Sequence, residues 1–340
     1  MSQVRQIVIK SGLVAFGLLL GILVLAFGVE ILDRIQEHRG KGSDFGSLNE
    51  LRAEMVSSDQ QPANGGSVSL RAIIYPHPDD HIIYDLRPNI SVTFQKVPVR
   101  TNSCGMRGAE TTISKPPGVY RIALLGDSFT FGWGVDEDKI FARVLENTLN
   151  RTAKNGIRFE VLNFGVPGYS TFQEVSKFIE SGADFNPDAV LVYFISNDFG
   201  YPFFVRDVTR SGGMLSGLEF TRLLGKALNP EMEDQRLLMG GLDPNSSMKI
   251  LSDFTRERGI KLSFALNPYR KWEKDKSRMK ILDERSDIEF IDMKEPLLYS
   301  IDVRKIPLNE LQLPDDPHPS AKKHEIFGQI LASYYLGVTQ

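Results

Sequence analysis

From Val119 onward the chain keeps one rhythm, a short apolar run followed by a helical stretch. The apolar runs cover 119–125, 159–163, 189–195, 262–266 and 288–291, and helices are expected around 140–149, 171–181, 248–258, 271–284 and 319–335. Thr171 followed by Glu174 has capping-box spacing and sets the start of the second helix. Alternation of this kind predicts an α/β fold, a central parallel sheet with helices on both faces. Ligands of such sheets sit at the carboxyl ends of the strands, so the residues that follow each apolar run are the place to look for chemistry.

The first run delivers Gly126-Asp127-Ser128, the second Asn163-Phe164-Gly165-Val166-Pro167-Gly168, and the third Ser196-Asn197-Asp198. A Ser where a strand meets the start of a helix is exposed beside outward-pointing N–H groups, which makes Ser128 a candidate nucleophile. A tetrahedral intermediate needs two or three donors aimed at its oxyanion, and the N–H of Ser128, the N–H of Gly165 and the Asn197 amide are the candidates. Taken singly, each has a bland role: Ser128 an N-cap, Gly165 a turn, Asn197 a helix cap. A base is offered by Leu313-Pro314-Asp315-Asp316-Pro317-His318 before the last helix. Asp315, three residues ahead of His318, is expected to fold back in a tight turn and hold the imidazole; Asp316 is the other register. Trp133, just beyond Ser128, either packs its helix on the sheet or offers a face to a sugar ring.

In this order the four blocks resemble the SGNH/GDSL hydrolase superfamily, over about Val119 to Leu336. Asn102-Ser103-Cys104-Gly105-Met106-Arg107-Gly108 is similar to the lead-in of its membrane-linked members. Phe129 stands where the family name has Leu, and Ile195 where many members have Gly before x-Asn-Asp. The resemblance implies a three-layer α/β/α sandwich, free of metal and cofactor, with Ser128 as nucleophile, His318 as base and Asp315 as its orienter. The implied target is an ester or acyl group.

The remaining sequence places this body. No charge interrupts Ser11 to Val29, a stretch long enough to cross a bilayer as a helix, so residues 1–32 are expected to be an uncleaved transmembrane anchor rather than a signal peptide. The basic residues flanking it nearly balance; a long body downstream translocates regardless, which favours an extracytoplasmic catalytic domain, periplasmic or extracellular. Residues 33–66 read as a stalk, 67–117 as a small β-rich segment and 118–340 as the catalytic domain, with 201–244 an insertion suited to cover the strand ends. A net charge of -3 and pI near 6.0 give no basic field for nucleic acid. The single Cys104 excludes an intramolecular disulfide. Pro76-His77-Pro78-Asp79-Asp80-His81 looks like the zinc-binding start of N-deacetylases acting on N-acetylglucosaminyl compounds, but His318 and His324 lack the spacing of that family's distant ligands, and a Pro-rich surface turn is expected. The expected function is a membrane-anchored serine esterase or O-acyltransferase. Its expected substrate is an acylated small molecule or, by analogy with related anchored proteins, an extracytoplasmic glycan. A lipase- or thioesterase-like hydrolase at the membrane surface and a non-catalytic glycan-assembly protein are the alternatives.

Overall fold

Five parallel strands carry the fold: β5 (Val119–Leu125), β6 (Arg158–Asn163), β7 (Ala189–Phe194), β8 (Lys261–Leu266) and β9 (Ile288–Ile291). They lie in the order β6-β5-β7-β8-β9. The computed structural model describes residues 66–153, 156–199, 243–269 and 271–339, with Gly17 and Gly21. By its internal contacts the chain divides into two units, Met1–Ser47 with Phe204–Asp234 and Leu48–Phe203 with Gln235–Gln340, and every element named below belongs to the second. The apolar run 11–29, apart from Gly17 and Gly21, and the cover expected at 201–244, all but its last two residues, lie outside the described residues. Among the described residues no helix is long and apolar enough to cross a membrane.

Successive residues of a strand point to opposite faces, and here both faces are covered. Ile122 and Leu124 of β5 join Leu191 and Tyr193 of β7 in a cluster with α3 (Phe141–Thr152) and α8 (Ala321–Thr339). Ala123 and Leu125, with Val190 and Val192, join a second cluster with α4 (Thr171–Glu180) and α5 (Pro244–Glu257). The expected helices on both faces are therefore present. Because β6 lies on one side of β5 and β7 on the other, the connections diverge at the carboxyl end of β5, the switch point where such sheets bind ligands.

Local details depart from the sequence expectation. The capping box of α4 uses Ser170 and Gln173, one residue ahead of Thr171 and Glu174; the Ser170 N–H donates to Gln173 Oε1 at 3.4 Å. Glu174 is thereby freed from capping and is buried. The helix expected over 271–284 is two, α6 (Trp272–Arg278) and α7 (Ile281–Glu284), broken at Met279, whose ψ of 66° is not helical.

Upstream, in the segment expected to be β-rich, a helical turn α1 (Leu70–Ile73) comes first, and two antiparallel hairpins follow. They are β1 (Ile74–Pro76) with β2 (Tyr84–Leu86), and β3 (Ser91–Phe94) with β4 (Val97–Arg100). This segment grips the loops at the carboxyl end of the sheet. Tyr84 Oη donates to the Pro167 carbonyl at 2.9 Å, Tyr169 Oη donates back to the Tyr84 carbonyl, and Lys177 of α4 pairs with Asp85. The opposite end of the sheet has its own buried cation. Arg121 donates to Glu160 Oε2 at 2.7 Å and to the carbonyls of Thr112, Ile113 and Phe185, enough acceptors to make burial of its charge tolerable.

Candidate active site

The nucleophile candidate opens α2 (Ser128–Phe131), a single turn too short to be stable alone. Three groups hold it. Asp127 Oδ1 accepts from the Phe129 N–H at 2.9 Å as an N-cap. Gly132 closes the turn in the left-handed conformation at φ 88°. Arg107, buried, donates to the carbonyls of Phe131 at 3.0 Å, Gly132 at 2.6 Å and Val135 at 2.6 Å, satisfying acceptors that the end of a helix leaves open. Burial lowers the Arg107 guanidinium to about 10, opposed by Glu137 and Asp136, so it stays charged at neutral pH.

The base candidate stands on a second small device, the hairpin β10 (Gln312–Leu313) and β11 (Asp316–Pro319). Leu313 pairs with Asp316, which leaves Pro314 and Asp315 to make the turn. Asp315 is exposed and adopts φ 59°, the left-handed conformation that a turn with Pro at its first central position favours at the second. The carboxylate on His318 is therefore Asp316 and not Asp315. In a strand, residues two apart share a face, and Asp316 Oδ1 lies 2.5 Å from His318 Nδ1 while also accepting the His318 N–H at 2.8 Å. The other ring nitrogen, Nε2, lies 2.8 Å from Ser128 Oγ. Two aromatic rings flank the imidazole, Trp133 at 4.9 Å and Phe129 at 5.4 Å between centroids.

Burial alone would push the Asp316 carboxyl up, but hydrogen bonds from the His318 N–H, the His318 ring and the Trp133 indole hold it below the usual carboxylate range. Asp127 goes the other way. Its complete burial raises it, against the donors Asn197, Phe129 and Ser128 and the charge of His318.

The three expected oxyanion donors fare differently. The Ser128 N–H opens α2 and has no acceptor among the described residues. The Asn197 amide donates one N–H to Asp127 Oδ2 at 3.0 Å, which orients the side chain and leaves its second N–H. The Gly165 N–H is engaged by Asn163 Oδ1 at 2.9 Å, so the donor role expected of it is corrected. Glycine is needed there for close approach: a Cβ would stand 2.4 Å from the Phe131 nitrogen. From Phe164 to Tyr169 the loop's other N–H groups find carbonyls, except that of Gly168, which has no acceptor among the described residues.

The model of the GDSL-like lipase/acylhydrolase family matches residues 124–326, a span that begins two strand residues ahead of the Gly126-Asp127-Ser128 turn and includes the β10–β11 hairpin. The chain belongs to this family. As a GDSL-like acylhydrolase it is an enzyme that hydrolyses ester bonds. Solved structures with similar chain paths include the lipase/acylhydrolase from Enterococcus faecalis, at 15% identity over 64% of this chain and 96% of that one, TM-score 0.41. The psychrotrophic esterase EstA from Pseudoalteromonas sp. matches at 12% identity over 64% and 97%, TM-score 0.42. A two-domain esterase active on acetylated mannans matches at 15% identity over 65% of this chain and 49% of its own, TM-score 0.42. Among curated proteins none matches the chain.

Other candidates have structural partners in this acylhydrolase. His77 pairs with Glu180 at 3.4 Å, and His81 pairs with Asp79 at 3.1 Å and meets the edge of Phe172. His324 is fully buried, with Nδ1 accepting the Phe141 N–H at 3.1 Å; burial, then the charges of Arg107, Lys323 and His318, lowers it to about 3. Two supporting residues escape sequence reasoning. Arg107 lies within the lead-in but gives no sign of its carbonyl partners. Asn163, visible only as a polar residue ending an apolar run, donates from Nδ2 to the Thr130 carbonyl at 3.0 Å and so ties β6 to α2.

Proposed function

We propose that this acylhydrolase works through a Ser128-His318-Asp316 triad and an acyl-enzyme. The observation that carries the reading is the unbroken line Ser128 Oγ, His318 Nε2, His318 Nδ1, Asp316 Oδ1, with contacts of 2.8 and 2.5 Å. His318 takes the Ser128 proton as Oγ attacks the acyl carbonyl, and Asp316 fixes the tautomer and stabilises the imidazolium. The oxyanion meets the Ser128 N–H and the second N–H of Asn197, with the N–H of Gly168, which has no acceptor among the described residues, as a further donor. Collapse breaks the ester C–O bond, and His318 returns the proton to the leaving alkoxide. Water, or an acceptor hydroxyl in its place, then gives its proton to His318 and attacks the acyl-Ser128 carbonyl, releasing the acyl group and restoring the serine. A serine-directed phosphonate applied to the full-length protein, followed by mass mapping, tests this: the adduct is expected on Ser128, and an unlabelled Ser128 in active protein removes the reading.

The apolar run 11–29 supports a membrane anchor with the catalytic body outside the cytoplasm. That placement, together with the lead-in at 102–108, favours esters on an extracytoplasmic glycan, with transfer between hydroxyls as the alternative fate of the acyl group. Retention in the membrane fraction through a carbonate wash tests the anchor. Acyl release from, or transfer to, glycan oligomers compared with aryl acetate hydrolysis tests the substrate.

A further inference from the structure

We propose that Trp133 is a positioning residue that clamps both halves of the His318–Asp316 pair, an inference that rests on the triad reading above. Asp316 opens a short strand directly after the two-residue turn of a minimal hairpin, and its side chain keeps 30% of its surface exposed. One oxygen, Oδ1, serves both the backbone and the ring of His318. Left alone, the other oxygen would face water and the carboxylate would be free to turn about its last torsion. Trp133 Nε1 donates to that oxygen, Oδ2, at 3.2 Å. The same indole lies against the imidazole, 4.9 Å between centroids and 13° from parallel.

These two contacts come from one rigid side chain, and its backbone follows directly on the turn that carries the nucleophile. The Trp133 N–H donates to the Ser128 carbonyl at 3.0 Å. Phe94, from the upstream hairpin, packs its edge on the indole at 4.8 Å and fixes its plane. Ser128, Trp133, His318 and Asp316 thus form one closed cycle, in which the element bearing the nucleophile also sets the orientation of the base. The face of Trp133 that a sugar ring would need is taken by His318 on one side. When His318 gains the serine proton, the indole face lies over a cation, so the stacking strengthens as the reaction proceeds.

The test compares Trp133→Phe, which keeps a ring over His318 but loses the N–H, with Trp133→Leu, which loses both, in the full-length protein with an aryl acetate. Trp133→Phe is expected to lower kcat on the order of tenfold and Trp133→Leu on the order of a hundredfold, with KM changed less than twofold, because misplacement of a base acts on the chemical step. In the parent the His318 Nδ1 proton, held 2.5 Å from Asp316 Oδ1 heavy atom to heavy atom, is expected to resonate far downfield, and in Trp133→Phe to broaden while the thermal midpoint stays near that of the parent. Unchanged kcat in both variants overturns the clamp, as does a rise in KM at constant kcat, which would make Trp133 a substrate contact. Ser128→Ala, run in parallel, separates the two readings. An inactive Ser128→Ala beside fully active Trp133 variants removes the clamp alone, whereas an active Ser128→Ala removes the triad and the clamp with it.

Discussion

Arg107 Nη1 donates to the Gly132 carbonyl at 2.6 Å, which ties the upstream segment to the turn that ends the helix of Ser128. The segment upstream of Val119 thus supplies, through Arg107, part of the support of the turn that carries Ser128. Arg107→Met would leave the buried carbonyls of Phe131 and Val135 without the donation from Arg107, and that of Gly132 with only the Val135 N–H, and is expected to cost about 3 kcal/mol or more, read from the urea midpoint. Arg107→Lys keeps the charge but cannot span three acceptors, so it is expected to recover only part of that loss. A midpoint unchanged in Arg107→Met would show that the contact contributes nothing.

Asp316→Asn and Asp315→Asn separate the two registers of the acid. Asp316→Asn is expected to lower kcat for an aryl acetate on the order of a thousandfold or more, as loss of the orienting carboxylate does in serine triads. Asp315→Asn keeps a residue that tolerates the left-handed turn and is expected to stay within about twofold. The reverse order of effects would return the role to Asp315.

Glu174 lies fully buried, and its carboxyl oxygens have no hydrogen-bond partner among the described residues. Burial first, then the charges of Asp198 and Asp127, raises it well above 4.5, so the native protein keeps it protonated where the unfolded chain ionises it. Its contribution is fully present below the unfolded value and is lost as pH rises above it. Glu174→Gln, which resembles the neutral acid, is expected to raise the urea midpoint at pH 8 and to converge with the parent near pH 4. Equal midpoints at both pH values would show that no proton is taken up on folding.

His324 has the opposite sign. Its native value of about 3 lies below the ordinary 6.5, so stability is present above 6.5 and is lost as pH falls toward 3, at no more than about 1.4 kcal/mol per pH unit. Because Glu174 opposes this slope over part of the range, the quantity to measure is the difference between parent and His324→Gln, whose side chain can still accept from the Phe141 N–H. The stability of His324→Gln relative to the parent is expected to rise with acidification; a difference independent of pH would show that His324 does not titrate in this window.

The alternation of apolar runs and helical stretches from Val119 determined the parallel sheet, and the short polar segments after each run marked the end where Ser128 and Asn197 lie. Those features are local, written in strand length, turn residues and amphipathic spacing. The two errors of one residue, Asp315 for Asp316 and Glu174 for Gln173, share a cause. Spacing names a pair of neighbours, and only the backbone conformation decides which of them points inward. At 315 the left-handed turn takes one aspartate out of reach and strand periodicity delivers the next; at 170 the helix starts a residue early and turns Glu174 into the interior. The Gly165 N–H could not be seen to be engaged, because its acceptor, Asn163, reaches it through a side chain whose other end holds α2. Arg107 and Trp133 were legible as residues and not as roles, since a guanidinium on three carbonyls and an indole on both His318 and Asp316 are contacts between segments that local sequence pattern does not relate. Tertiary structure alone decided which N–H groups near Ser128 are already engaged and what holds His318.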